Sequence, residues 1–77
     1  MSIDIEQELG IFCENVKRLR QREGLSKKEM AKKLGIGVKS LTLIESGIVS
    51  KRLGANVLLN ILNNFNIYPS DMFSRRI

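Results

Sequence analysis

The sequence predicts an all-α fold, a compact bundle of five short helices, and two features of its 77 residues carry this prediction. Apolar residues recur at intervals of three and four in several segments, which is the period of a helix with one buried face. Glycines and a lone proline separate these segments, and no segment alternates apolar and polar residues as a half-buried strand would. The length suits a single hydrophobic core.

The first helix is predicted over residues 9–22, LGIFCENVKRLRQR. Its apolar stripe consists of Leu9, Phe12, Val16 and Leu19. Ile5 would continue the stripe backward, but Gly10 disfavours a helix before residue 11 because glycine is a poor helix former. Gly24 is expected to end the helix with a left-handed cap.

Helices two and three are predicted close together in the chain, over residues 27–34 and 38–46. Ser26 and Glu29 have the spacing of a capping box, and Gly35 fits the end of helix two. At about 100° per residue, the face of helix three expected to point inward holds Val38, Leu41, Ile44 and Glu45. The opposite face holds Lys39, Thr42, Leu43 and Ser46.

The last two helices are predicted over residues 55–65 and 69–74. Pro69 favours the first turn of the final helix because its backbone φ is already helical. In the fourth helix, Leu58, Ile61, Leu62 and Phe65 are expected to face inward. Its polar residues Asn60, Asn63 and Asn64 are expected to face outward.

Charge is distributed unevenly along the chain. Residues 1–16 carry a net charge of −4, whereas residues 17–33 carry +6, within a total of +5. We therefore expect three parts: an acidic extension over 1–10, a domain over 11–74 and a tail over 75–77. A concentrated positive charge favours a polyanionic partner, although a merely solvated surface is the alternative.

Several kinds of site are not expected. One cysteine and no histidine provide neither an internal disulfide nor a zinc ligand set, and we expect Cys13 to be a buried small thiol. No combination of nucleophile and base points to an enzyme, and no cofactor or small-molecule ligand is indicated. There is no apolar run of membrane-spanning length, and the first ten residues do not resemble a signal peptide. A cytoplasmic protein is the simplest expectation.

Residues 25–47, LSKKEMAKKLGIGVKSLTLIESG, have the pattern of a helix-turn-helix unit, although a generic helical hairpin shares this spacing. The segments NVKRLR, GLSKKEMAKKLGI, SLTLIESG and NIYPSDMF, which lie between residues 15 and 73, resemble the Cro and XRE family of phage and bacterial repressors. The resemblance implies a lambda-repressor-like DNA-binding domain. In that family the second helix contacts the DNA backbone, the third contacts bases, and binding is commonly as a dimer on a two-fold operator.

The resemblance also implies roles for individual residues. Arg20 and Glu45 would form a structural ion pair between helices one and three. Phosphate contacts are expected at the start of helix two and in the loop after Gly47, from Lys27, Lys28, Lys51 and Arg52. Base contacts are expected from Val38, Lys39, Ser40, Thr42 and Leu43.

Four further residues of this region are interpreted from their chemistry and position. The family more often carries a long polar side chain near position 43, whereas Leu43 and the methyl group of Thr42 suit thymine C5-methyl groups. Lys32 and Lys33, further along helix two, are expected to serve solubility rather than DNA contact.

The predicted function is a sequence-specific, double-stranded DNA-binding transcriptional regulator with helix three in the major groove. The alternative is a protein-interaction module of the same fold, in which Leu43, Ile48 and Val49 contact a partner protein. We also expect a homodimer formed by residues 66–77. The fourth helix is expected to leave four apolar residues near the C-terminus incompletely covered: Tyr68, Met72, Phe73 and Ile77.

Overall fold

A computed structural model of the chain describes residues 5–49 and 54–77, with the backbone alone for Ile5 and Glu6. Over these residues it contains five helices and no strand, so the all-α prediction is confirmed. The helices are α1 (Ile5–Arg22), α2 (Lys27–Leu34), α3 (Val38–Glu45), α4 (Ala55–Phe65) and α5 (Pro69–Ser74). α1 packs against α3 and α5, α2 packs against α3 and α4, and α4 also contacts α5.

Every helix contributes to one hydrophobic core. Full burial of a large apolar side chain stabilises the fold by about 1.5–3 kcal/mol, so these contacts dominate its stability. The buried apolar residues are Phe12, Cys13, Val16, Leu19, Met30, Ala31, Leu34, Leu41, Ile44, Val57, Ile61 and Met72. Burial also raises the pKa of the Cys13 thiol, which is consistent with the expected structural role of this residue.

The first helix begins earlier than its sequence pattern indicates. α1 starts at Ile5 and continues through Gly10, which is exposed and has open space where a side chain would be. The expectation that Gly10 would disfavour helix before residue 11 was therefore wrong. A penalty of about 1 kcal/mol for an internal glycine is small beside the contacts of an 18-residue helix.

Both ends of α2 have the caps that the sequence predicts. Ser26 Oγ accepts a hydrogen bond from the Glu29 N–H at 3.1 Å, and Glu29 Oε1 accepts one from the Ser26 N–H at 3.0 Å, which is the predicted capping box. At the other end, Gly35 adopts a φ of 74°, a left-handed conformation that favours glycine.

Two asparagines of α4 bind the C-terminal end of α2. The Asn60 Nδ2 group donates to the Leu34 carbonyl at 2.9 Å, and the Asn64 Nδ2 group donates to the Lys33 carbonyl at 3.2 Å. The last carbonyls of a helix have no partner within it, so these amides satisfy two of them. Asn60 is half-buried rather than outward-facing as predicted, whereas Asn64 is exposed as predicted and still donates to α2. Together the two amides fix α2 against α4.

The C-terminal residues fold back onto α1. Asn15 is fully buried, and its Nδ2 group donates to the carbonyls of Met72 at 2.8 Å and Arg75 at 2.7 Å. Its Oδ1 atom accepts from the Ile77 N–H at 3.1 Å. Both the amide nitrogen and the amide oxygen of one buried side chain are thus used to hold the end of the chain, in three hydrogen bonds.

This packing corrects the expectation of an uncovered apolar C-terminus. Met72 is fully buried, the Phe73 ring stacks on the Phe12 ring at a centroid distance of 4.8 Å, and Ile77 packs partly buried against the core. Tyr68 alone of the four expected residues is well exposed. Contacts with α1, which the sequence pattern of α4 and α5 did not reveal, cover the other three.

Candidate nucleic-acid interface

α2 and α3 are joined by a three-residue turn, Gly35-Ile36-Gly37, which sets the position of α3. The Ile36 N–H donates to the Ala31 carbonyl at 3.0 Å, and the Ile36 side chain packs partly buried against the core. Gly37 precedes α3 as its N-cap and provides no side-chain hydrogen bond. The turn is therefore anchored from within, while the first turn of α3 keeps backbone N–H groups without a side-chain partner.

The other end of α3 is tied to α1 by an ion pair. The Arg20 guanidinium donates from Nε to Glu45 Oε2 at 2.7 Å and from Nη2 to Glu45 Oε1 at 3.0 Å. Its Nη1 group donates to the Leu25 carbonyl at 3.2 Å. The hydrogen bonds to Glu45 raise the pKa of Arg20 further above its usual value. One side chain thus connects α1, the approach to α2 and the last residue of α3.

α3 has one buried face and one exposed face. Leu41 and Ile44 are buried, whereas Lys39 and Ser40 are exposed and Thr42 is partly exposed. Leu43 is 41% exposed, as expected for the face opposite the core. Val38 is 44% exposed, so the expectation that it points inward was wrong. Val38 is the first residue of α3 and lies at the border of the inward face. At the end of a helix, such a side chain can remain in contact with solvent.

Two hydroxyl groups, one in α3 and one on the residue just after it, are bonded to backbone carbonyls of α3. Thr42 Oγ1 donates to the Val38 carbonyl at 2.9 Å, and Ser46 Oγ donates to the Thr42 carbonyl at 2.9 Å. A hydroxyl has a single hydrogen, so each of these groups has only acceptor capacity left for any further partner.

Basic side chains at the starts of α2 and α3 are exposed. Lys27 and Lys28, at the first two positions of α2, are exposed, and so is Lys39 at the start of α3. Lys27 and Lys28 follow the Ser26 cap, where the helix dipole adds a partial positive charge. Lys51 and Arg52, the other two expected phosphate contacts, lie outside the described residues.

Ile48 extends the apolar surface beyond the end of α3. Its N–H donates to the Leu43 carbonyl at 2.9 Å, and its side chain is 55% exposed. Val49, by contrast, packs partly buried against the core. Of the patch expected from Leu43, Ile48 and Val49, Leu43 and Ile48 are therefore exposed and Val49 is not.

Other kinds of site find no support in residues 5–49 and 54–77. These residues contain no group of three or more histidine, cysteine, aspartate or glutamate side chains that could hold a metal ion. None of the described helices combines the length and the hydropathy needed to cross a membrane.

Comparison with protein families gives one match, to the helix-turn-helix domain, over residues 13–75. This span runs from the middle of α1 to the residue that follows α5. The chain belongs to the helix-turn-helix domain family. The match is consistent with the resemblance to Cro and XRE proteins, and it indicates a DNA-binding regulator in general terms. Comparisons with curated proteins and with solved structures gave no match.

In this helix-turn-helix chain, sequence patterns missed three positioning residues, Asn15, Asn60 and Asn64. Each lies inside a helix and binds backbone carbonyls of another element. Asparagine is a poor helix former, because its side chain competes for backbone hydrogen bonds. An asparagine inside a helix is therefore a reason to look for a tertiary partner, but exposed Asn63 of α4 shows that it does not establish one.

Proposed function

We propose that this protein is a transcriptional regulator that binds double-stranded DNA sequence-specifically, with α3 in the major groove. The observation that carries the proposal is the exposed face of α3, which includes Lys39 and follows the exposed Lys27 and Lys28 at the start of α2. B-DNA's major groove admits one α-helix, and the second helix of a helix-turn-helix unit is the one that enters it.

Five residues of α3 are proposed to meet the base edges: Val38, Lys39, Ser40, Thr42 and Leu43. All are exposed or partly exposed, whereas the intervening Leu41 is buried. Lys39 has the reach and charge to donate to guanine O6 and N7 or to a phosphate. Ser40 can donate or accept.

Phosphate contacts are proposed for Lys27 and Lys28 at the N-terminus of α2, and for Lys51 and Arg52, which precede α4 in the sequence and lie outside the described residues. Lysine neutralises phosphate charge and releases counterions, which supplies affinity without sequence preference. Base contacts from α3 and the deformability of the DNA would then supply specificity.

A protein-interaction module is the second candidate function, and the exposed side chains of Val38, Leu43 and Ile48 favour it. Exposed apolar side chains are typical of protein-binding surfaces when they form a contiguous patch. Two observations favour DNA instead: Val49 packs partly buried against the core, and Lys27, Lys28 and Lys39 are exposed on the same helix-turn-helix unit.

We also propose that two copies pair through the C-terminal segment, so that their α3 helices lie one DNA turn apart, about 34 Å. Because Met72 and Phe73 are occupied within the chain, Tyr68 is the residue of this segment that remains to make the contact. Sedimentation of the intact chain and of Tyr68→Ala tests the pairing. A concentrated intact chain that stays monomeric, with and without a palindromic duplex, would overturn it.

Selection from a random duplex library, followed by gel-shift assays, tests the proposed function. We expect enrichment of a defined sequence that the protein binds more tightly than scrambled DNA. Lys39→Ala should lower the affinity for the selected sequence. A library that yields no enriched sequence and no shifted complex would contradict DNA binding and favour the protein-interaction module.

A further inference from the structure

We infer that α3 distinguishes DNA sequences chiefly by the C5-methyl groups of pyrimidines in the major groove. The ligand is then duplex DNA in which thymine, or 5-methylcytosine, occupies the contacted positions. This inference rests on the proposed function and specifies what α3 recognises.

The bonded hydroxyl of Thr42 restricts which bases it can recognise. Because Thr42 Oγ1 gives its hydrogen to the Val38 carbonyl, it has none for guanine O6 or N7. It can accept a hydrogen bond from the amino group of adenine or cytosine, which does not distinguish these two bases. Lys39 and Ser40 are then the only side chains among the five proposed base contacts that can donate.

The apolar part of the face has the chemistry of methyl recognition. Val38 and Leu43 are 44% and 41% exposed, so each presents apolar surface to any molecule lying against α3. In the major groove the apolar group on a base edge is the C5-methyl of thymine. When a Val38 or Leu43 side chain packs against a thymine methyl group, both apolar groups are removed from water, which is favourable.

Val38 and Leu43 would contact two separate methyl groups. They are five positions apart, which is about 7.5 Å along a helix axis and about 140° around it. The two side chains therefore point to different parts of the groove, and each is expected to meet a methyl group of its own.

The charges around the face identify its occupant as DNA rather than an apolar protein surface. Lys39 lies between Val38 and Leu43 in the chain, and Glu45, the only acidic residue of α3, is paired with Arg20. Exposed Lys27 and Lys28 lie at the start of α2, which precedes α3 in the chain. An exposed apolar surface accompanied by positive charge complements a groove that carries methyl groups on its floor and phosphates on its edges.

The test uses the intact protein and the duplex enriched from the random library, with each thymine replaced in turn by deoxyuridine. This change removes the C5-methyl group and keeps the pairing. We expect about a fourfold loss of affinity at each of two positions, equivalent to about 0.8 kcal/mol per buried methyl-sized group, and no change elsewhere. At either position, 5-methylcytosine should bind about fourfold tighter than cytosine.

Variants assign the effect to α3. Leu43→Ala should bind the thymine and deoxyuridine duplexes equally at one of the two positions, and Val38→Ala should do so at the other. Leu59→Ala is the matched control, because Leu59 is 53% exposed but lies on α4. Leu59→Ala should show the same difference in affinity between the thymine and deoxyuridine duplexes as the original chain. Melting curves would establish that all three variants fold.

The outcomes separate this inference from the proposed function. Tight, sequence-specific binding that is the same for thymine and deoxyuridine at every position overturns methyl recognition and leaves DNA binding intact. A methyl effect that persists unchanged in both Leu43→Ala and Val38→Ala also overturns it. Failure to enrich any duplex overturns both, because the exposed face of α3 would then serve another partner.

Discussion

The Arg20 guanidinium on α1 and the Glu45 carboxylate at the end of α3 form a bidentate ion pair, with N–O distances of 2.7 and 3.0 Å. Its two side chains are only 17% and 5% exposed. Planar, two-point pairing of this kind fixes direction as well as distance. The pair therefore sets the orientation of α3 relative to the rest of the domain without itself facing the proposed DNA surface.

Replacing Glu45 by glutamine should destabilise the fold. The change leaves the Arg20 charge without its carboxylate, and breaking a largely buried pair costs on the order of 3 kcal/mol. Thermal melting measures the effect. Glu23→Gln is the matched control, since Glu23 is an exposed glutamate near the end of α1, and it should melt like the original chain. A Glu45→Gln melting curve equal to that of the control would contradict the structural role of the pair.

Removing the Asn15 amide should release the C-terminus. Asn15→Ala leaves the Met72 and Arg75 carbonyls and the Ile77 N–H without their partner, and we expect a loss of about 2–3 kcal/mol. Denaturant unfolding measures it. Asn63→Ala, on the exposed surface of α4, makes the same chemical change and should cost less than about 0.5 kcal/mol. Equal midpoints for the two variants would contradict the account of Asn15.

Gly35→Ala should cost more than Gly24→Ala. Both glycines have positive φ, at 74° and 66°, so each alanine is strained by about 1–2 kcal/mol. A Cβ at Gly35 would also lie 2.9 Å from Asn60 Nδ2, whereas a Cβ at Gly24 would meet nothing within 4 Å. The Asn60 amide is held by the Leu34 carbonyl, so relieving the clash sacrifices that hydrogen bond.

A double-mutant cycle measures this coupling by denaturant unfolding. In an Asn60→Ala background, the cost of Gly35→Ala should fall to that of Gly24→Ala. If Asn60→Ala leaves the cost of Gly35→Ala unchanged, the close approach of these two residues does not explain the glycine.

Stability should decline in acid. A hydrogen bond from Arg76, with the nearby Arg18 charge, lowers the pKa of Glu14 below its usual 4.5, and the Ser26 N–H lowers that of Glu29. A carboxyl with a lower pKa in the folded chain binds fewer protons than in the unfolded chain, so its stabilising effect is present above pH 4.5 and is lost below it.

The measurement is the free energy of unfolding between about pH 6 and about pH 3. A chain carrying both Glu14→Gln and Glu29→Gln should be less stable at neutral pH and should lose less on acidification. Glu23→Gln should follow the original profile. Identical pH profiles for the double variant and the original chain would contradict the proposed contribution of these carboxyls.

The sequence predicted the helices well where local signals mark their ends. The Ser26 and Glu29 capping box, the glycine after α2 and Pro69 act within a few residues, so α2, α4 and α5 have their predicted bounds. α3 ends at Glu45, one residue before its predicted end, and α1 begins at Ile5 rather than residue 9, because the contacts of this long helix outweigh the penalty of Gly10. The five-helix architecture followed from these elements and from the motifs shared with Cro and XRE proteins.

Long-range hydrogen bonds were harder to predict. Asn60 and Asn64 have the spacing of an exposed helical face, and only the packing of α4 against α2 brings carbonyls to them. Met72 and Phe73 were expected to be available to a second chain, because nothing local shows that α5 packs on α1. Arg20 and Glu45, 25 positions apart, were paired through the family resemblance rather than through any local pattern.

Salt dependence tests the central proposal, DNA binding through the basic surface of α2 and α3, most directly. The affinity for the selected duplex is measured over a range of salt concentrations for the original chain and for two charge-matched variants. Lys27→Gln with Lys28→Gln removes two proposed phosphate contacts, and Lys32→Gln with Lys33→Gln removes two exposed charges at the other end of α2.

For the original chain we expect log K to fall with log salt at a slope of about −4 to −5, corresponding to about five phosphates. The slope of the first variant should be less steep by about 2, and the slope of the second variant should equal that of the original chain. A slope near zero for the original chain, or equal slopes for the two variants, would contradict the account.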